Sequence, residues 1–389
     1  MFKSCSKSQQ HKNQFIKFTE DAIISQHPID SNNCLYGTSQ GQLFLYSFDT
    51  RIPQLIAQFE SDAIRTIDCY NREAFIGCQS GSVYLINLSA QQPSLLGKLN
   101  SAVTRLYIFG GGNNLYIYAA TKSCRLSAFQ LVLVRSSFSG SLNKQPSSDI
   151  QKQTQTILQI TLEENIFVKH NLELLQSEEE SSDSKISHVH SYINLVTQDP
   201  NNPVLPSWTQ KYHFATPTYL HGCEGIIAFC AEDKTVRFYN ILTFQEMSEF
   251  RHDRLFPTSC HMFEKLFRGQ KTLFCIIGYN GTGTDGGEVF MMNIKENDVF
   301  KVDLKCQFIG GIRAISCIDE KILISDRVCW RIFDQEYQQI AKYEFKDENP
   351  IRLEYFENGN EIIHYLTYNQ GVCGRVKWNG AAFKTDFIE

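Results

Sequence analysis

The chain repeats itself at a period of forty residues. Gly37-Thr-Ser-Gln-Gly41-Gln-Leu-Phe-Leu-Tyr46 is matched by Gly77-Cys-Gln-Ser-Gly81-Ser-Val-Tyr-Leu-Ile86. Upstream, Asp21-Ala22-Ile23 corresponds to Asp62-Ala63-Ile64, and downstream Pro53 to Phe59 corresponds to Pro93 to Leu99. The pattern returns near the other end, where Ile64-Arg-Thr-Ile-Asp-Cys69 reappears as Ile312-Arg-Ala-Ile-Ser-Cys317. Matching segments in fixed order mark an array of equivalent units, and this has to be read before any local structure.

Within a unit, short runs of alternating or continuous apolar residues are broken by Gly, Asn, Asp and Ser. The second reads AIRTIDC, EAFIGC, SVYLINL and PSLLGKL, joined at Tyr70-Asn71-Arg72 and Gln79-Ser80-Gly81. These are four strands with hairpin-length connections. One such sheet cannot bury both of its faces, so several must pack radially. The expected fold is therefore all-β: a single closed β-propeller of four-stranded antiparallel blades spanning 1–389, with no helix longer than three turns.

Cys230-Ala-Glu-Asp233-Lys-Thr-Val-Arg-Phe-Tyr239 resembles the third-strand signature of WD40 repeats, and Ser325-Asp326-Arg-Val-Cys-Trp-Arg-Ile-Phe333-Asp334 is a weaker copy. Phe48-Asp49, Tyr239-Asn240 and Phe333-Asp334 stand where that family closes a strand with Trp-Asp, and no Gly-His pair precedes a first strand. The resemblance implies a divergent WD40-like propeller that lacks the family's Asp-His-Ser/Thr-Trp network and acts as a protein-interaction scaffold.

Third-strand candidates fall near Gly41, Gly81, Arg125, Tyr192, Asp233, Gly287, Asp326 and Gly371. The region from Ser136 to His213 decides between seven blades and eight; seven is the expectation. Two polar stretches, Ser136 to Gln155 and Gln176 to Ser187, predict a partly mobile insertion over 136–187. His11 to Glu20 is expected to add a strand to the last blade and close the ring, in competition with Ala381 to Ile388 for the same edge.

Charge and cysteine usage exclude several classes. With 37 basic and 42 acidic residues the formal charge is −5, unlike the basic footprint of a dedicated nucleic-acid binder. No apolar run approaches the ~20 residues of a membrane span. The amino terminus lacks an apolar signal core and an arginine-rich transit pattern. Thirteen cysteines, an odd number without framework spacing, read as small buried hydrophobes of a reducing compartment. An intracellular location, cytoplasmic or nuclear and not secreted, is expected.

Motifs for chemistry resolve into strands and turns. Gly281-Thr-Gly283-Thr-Asp-Gly286 fits G-x-G-x-x-G but leads into the strand-like Glu288 to Ile294, without the helix a pyrophosphate needs. His188 and His190 lack a third metal ligand. His221 with Cys223, and Cys260 with His261, sit inside blade strands and lack an orienting third group. Trp208, Trp330 and Trp378 read as packing aromatics. His27, Asp68, His221, His261 and Glu354 are scattered over the innermost strands with no repeated acid. Catalytic, cofactor-binding and metal residues are accordingly read as none. The paired arginine of phosphoinositide-binding propellers has only single-arginine counterparts, at Arg251 and at Phe267-Arg268-Gly269.

One set stands apart. Arg65, Arg313 and Arg352 each follow an isoleucine at the same repeat position, the start of the innermost strand. There they are expected to line the channel mouth as a partner-binding arc. Guanidinium groups suit an acidic or phosphorylated peptide, or an inositol phosphate. The structural alternative ties each to an acid such as Asp62 or Glu348. The sequence thus predicts a non-enzymatic scaffold without cofactor, part of a hetero-complex rather than a homo-oligomer, with proteins or acidic or phosphorylated peptides as partners; phosphoinositide binding and channel catalysis are the alternatives.

Overall fold

The computed structural model describes residues 16–17, 19, 21–111, 114–132, 208–211, 215–241, 243, 245–280, 286–345, 350, 352–358, 361–368 and 372–386. Every regular element among them is a strand, and the strands form seven antiparallel sheets. Blade 1 is β2–β5 (Ile23–Pro28, Asn33–Thr38, Gln42–Ser47, Ile52–Gln58), and blade 2 is β6–β9 (Ile64–Tyr70, Glu73–Cys78, Ser82–Asn87, Gln92–Lys98). Blade 3 is β10–β13 (Val103–Gly111, Asn114–Thr121, Arg125–Val132, Trp208–Lys211). Blade 4 is β14–β17 (Pro217–Cys223, Ile226–Ala231, Thr235–Asn240, Glu246–Arg251), and blade 5 is β18–β21 (Pro257–Phe267, Gln270–Tyr279, Glu288–Asn293, Asp298–Lys301). Blade 6 is β22–β25 (Ala314–Ile318, Lys321–Ser325, Cys329–Phe333, Gln339–Glu344). Blade 7 is β26–β28 (Arg352–Asn358, Glu361–Thr367, Val372–Trp378), extended by β1 (Ile16–Lys17) and β29 (Phe383–Asp386). Each innermost strand packs on that of the next blade, and β26 packs on β2. The molecule is a closed seven-bladed β-propeller.

Burial follows position in the blade. The second strand is covered on both faces by neighbouring blades, so β7 is buried at every residue, including Glu73, whose carboxylate accepts from Asn87 Nδ2 at 2.7 Å. The outermost strands β17 and β25 alternate between exposed and half-buried residues. This explains why some runs in the sequence are continuously apolar and others alternate.

The two glycines of the repeat have separate reasons. A Cβ at Gly37 would lie 2.5 Å from Ile64 Cγ2, and one at Gly77 2.6 Å from Val103 Cγ1, so the first lets the next blade's innermost strand approach. Gly41 and Gly81 turn with φ of +79° and +91°, where a side chain would strike the carbonyls of Phe59 and Leu99. In blade 4 that turn is held by Asp233 instead, which accepts from Thr235 N at 3.1 Å and Thr235 Oγ1 at 2.5 Å. In blade 6, fully buried Asp326 accepts from the amides of Val328, Cys329 and Ile309 and pairs with Arg331 Nη1 at 2.6 Å.

Seven blades result because Trp208–Lys211 is the outer strand of blade 3, paired with Arg125–Ala128. The third-strand candidate at Tyr192 and the insertion expected over 136–187 lie outside the described residues, as do His188 and His190. The competition at the last edge is resolved by sharing: β1 pairs with Val372–Cys373, and β29 with Arg375–Trp378 of the same strand. The twelve described cysteines are free thiols. No helix among the described residues is long and apolar enough to cross a membrane.

Candidate functional site at the central channel

The innermost strands begin in register. Counting from the first residues Ile23, Ile64, Val103, Pro217 and Pro257, and in blade 6 from Ile312, two residues before β22, the next position is Ile24, Arg65, Thr104, Thr218, Thr258 and Arg313. In blades 1 to 5 this position is skipped by the ladder to the second strand. In blade 6 Arg313 N shares the carbonyl of Ser325, which Ala314 faces. Such a bulge re-aims the side chain it carries. Thr218 and Thr258 turn towards the next blade and donate to the carbonyls of Pro257 and Ile312, each at 2.6 Å. Arg65 and Arg313 stay exposed and line the channel mouth.

Arg65 donates from Nε to Gln79 Oε1 at 2.5 Å. Asp62 is engaged elsewhere, accepting from Ser80 N at 2.8 Å and Ser80 Oγ at 2.5 Å. Among the described residues no ion pair holds Arg65 or Arg313. They belong to blades 2 and 6, with blades 7 and 1 between them, and so stand nearly opposite each other across the mouth. Arg352 starts β26 in the intervening blade 7; its side chain and Glu348 lie outside the described residues.

A third lining arginine lies deeper. Arg105 is one residue further along its strand than the Ile-Arg pattern, half-buried, with Nη1 donating to Thr104 O at 2.8 Å and its guanidinium 5.9 Å from the centre of the Tyr219 ring. Burial lowers its pKa, while the charge of Glu354 works to raise it.

Below the arginines, one level of the ring carries His27, Asp68, Tyr107, His221, His261, Ser316 and Tyr355, all lining the channel. Several of these side chains reach the next innermost strand. Asp68 Oδ2 accepts from Ile108 N at 2.8 Å, His221 Nδ1 accepts from Met262 N at 3.2 Å, and His261 Nδ1 lies 3.3 Å from Ser316 Oγ. The rings of His221 and His261 are 4.5 Å apart. Burial lowers His27 and His261 to about 4 and holds His221 well below its ordinary value, so these imidazoles are neutral at pH 7. Burial also pushes Asp68 up to about 7, against hydrogen bonds from Cys69 N and Ile108 N. The 3.7 Å contact between His27 and Asp68 therefore joins a neutral imidazole to a protonated carboxyl between about pH 4 and 7.

The scattered histidines and acids thus do meet, in a cavity of about 770 Å³, and the bonds above commit most of them to fastening blades. Among the described residues no three His, Cys, Asp or Glu side chains are grouped to hold a metal ion. The described lining carries three arginines, Arg65, Arg105 and Arg313, against the carboxyls of Asp68 and Glu354. Arginines thus outnumber carboxyls among the described lining residues of a protein whose formal charge is −5.

His221–Gly–Cys223 and Cys260–His261 lie within β14 and β18, and the glycine-rich segment ending at Gly286 is followed by strand β20, not a helix; residues 281–285 themselves are not described. Arg268 is the turn residue of the β18–β19 hairpin, over the Phe267 ring at 4.9 Å. No protein-family profile matches the chain, and no curated protein matches it.

Proposed function

We propose that this protein is a divergent WD40-like propeller acting as a non-enzymatic scaffold. It docks an acidic or phosphorylated segment of a partner protein at the arginine-bearing mouth, as a subunit of a hetero-complex. The observation that carries this reading is the excess of arginine over carboxylate in the channel of an otherwise acidic molecule, with Arg65 and Arg313 exposed at the rim. Guanidinium groups hold carboxylate or phosphate bidentately, and a rigid rim loses little freedom on binding. The turn at Asp233 and the closure by seven four-stranded blades support the WD40-like reading. The hydrogen bonds of the channel imidazoles to neighbouring blades favour docking over catalysis.

Affinity purification from cells, wild type beside the triple variant Arg65→Ala, Arg313→Ala, Arg352→Ala, tests the proposal. The reading expects acidic or phosphorylated partners to be lost selectively from the folded variant. An unchanged partner set would refute it.

A further inference from the structure

The innermost strands all run the same way through the channel, so their ends define a second mouth opposite the arginines. There the β18–β19 hairpin outgrows its counterparts. It has strands of 11 and 10 residues, where β2 and β3 have 6 each, and it stays paired out to Phe267 opposite Gln270. Arg268 and Gly269, at φ of 51° and 79°, close it with a tight two-residue turn. Phe274 stacks with Phe263 at 6.2 Å and meets Phe267 edge-on at 5.7 Å. This is a stiff projection, and near its tip Leu266 is 72% exposed.

A single exposed leucine is ordinary, but this hairpin walls a groove. Between it and the turns of blade 6 lies a cavity of about 230 Å³, floored by Met291, Ile322 and Tyr337. That floor continues the packed cluster between blades 5 and 6. Glu264, Asp319 and Glu320 also line it, against one lining cation, Lys265. Lys271 bonds Glu264 at 3.1 Å, and Lys321 turns to the carbonyl of Asp319. The groove is too small for a drug-sized ligand and of the right order for one large apolar side chain.

We infer that this groove is a second docking site, for a basic peptide segment that inserts one aromatic or long aliphatic side chain between blades 5 and 6. The apolar floor takes the anchor, Phe263 flanks it, and Asp319 and Glu320 pair with lysine or arginine beside it. The two mouths then select partners of opposite charge, and the propeller bridges them.

Methionine-methyl NMR reads this directly, because Met291 lies in the groove. The capped pentapeptide Lys-Arg-Phe-Lys-Lys should shift the Met291 resonance. The same peptide with Gly for Phe, or with Glu for its basic residues, should bind at least about tenfold more weakly, the loss of ~1.4 kcal/mol or more. Glu320→Lys, on an exposed turn, should weaken binding of the first peptide by a similar factor while leaving the spectrum of the free protein folded. The inference is overturned if millimolar Lys-Arg-Phe-Lys-Lys leaves Met291 unmoved, or if the acidic peptide binds equally well. Variants of Arg65 and Arg313 should not alter this binding, so the site stands or falls apart from the arginine mouth.

Discussion

The guanidinium of Arg375, in the third strand of the last blade, lies 4.6 Å from the centre of the Phe48 ring in the first blade. Arg375 also donates to the carbonyl of Ser31 and to Asn32 Oδ1, and is only 4% exposed. Tyr365 OH adds a bond to Asp30 O at 2.6 Å, and Gln26 meets Thr367 and the carbonyl of Tyr365. Ring closure therefore rests on side-chain ties between blades 7 and 1 as well as on the shared outer edge of β28.

Arg375→Ala removes the largest of these ties and leaves half-buried acceptors unmatched. It should cost about 2–4 kcal/mol. Among the described residues, deleting 1–18 removes the two-residue pairing of Ile16 and Lys17; it should cost about 1–2 kcal/mol, lowering the melting temperature less. Equilibrium denaturation of both variants checks the order; an Arg375→Ala variant as stable as wild type would contradict this account of closure.

The fold was legible because Gly37 and Gly41, then Gly77 and Gly81, mark an inter-blade contact and a turn that each tolerate no side chain. The register of the channel was harder to read. Arg65 and Arg313 announce themselves through the shared Ile-Arg pattern, but Arg105 is displaced one residue along its strand. The level of His27, Asp68, His221 and His261 is invisible in sequence, since each blade supplies one residue of a different type and only closure makes them neighbours. The groove beside Phe263 is hidden for a related reason. Its one sequence signal, the unusual length of the hairpin around Arg268-Gly269, reads as an ordinary turn until blade 6 is placed beside it.

Asp326 in blade 6 and Asp233 in blade 4 hold corresponding turns at different depths. Asp326→Ala would leave Arg331, itself 6% exposed, without its partner and release three amides. A loss of about 3–5 kcal/mol is expected. Asp233→Ala loses a half-buried turn and should cost about 1–2 kcal/mol. Urea midpoints measure both; equal losses would show that burial of the Asp326–Arg331 pair is irrelevant.

The channel makes stability depend on pH in two opposed ways. Burial holds His27 and His261 at about 4 and His221 well below its ordinary value. Their contribution is complete above the unfolded value of ~6.5 and is lost as pH falls towards the folded one. Asp68, raised to about 7 by burial, contributes fully below ~4 and loses that contribution as pH rises through 7. Asp68→Asn cannot ionise, so its stability should fall more steeply than wild type between pH 7 and 4.5. Because the Asp68 side chain keeps 18% exposure to the channel, the added difference should be about 1–2 kcal/mol. Parallel profiles for the two proteins would contradict the raised carboxyl.

The most direct measurement is the binding of a fluorescent hexaglutamate and of a phosphoserine peptide to wild type and to the Arg65→Ala, Arg313→Ala, Arg352→Ala variant at low and physiological salt. Wild-type affinity should fall with salt as screened charge pairs weaken. The folded variant should lose about 2–4 kcal/mol, roughly 30- to 1,000-fold in dissociation constant. Binding that survives the triple substitution unchanged, in a protein with native circular dichroism and melting behaviour, would contradict the assignment of the docking site to this mouth.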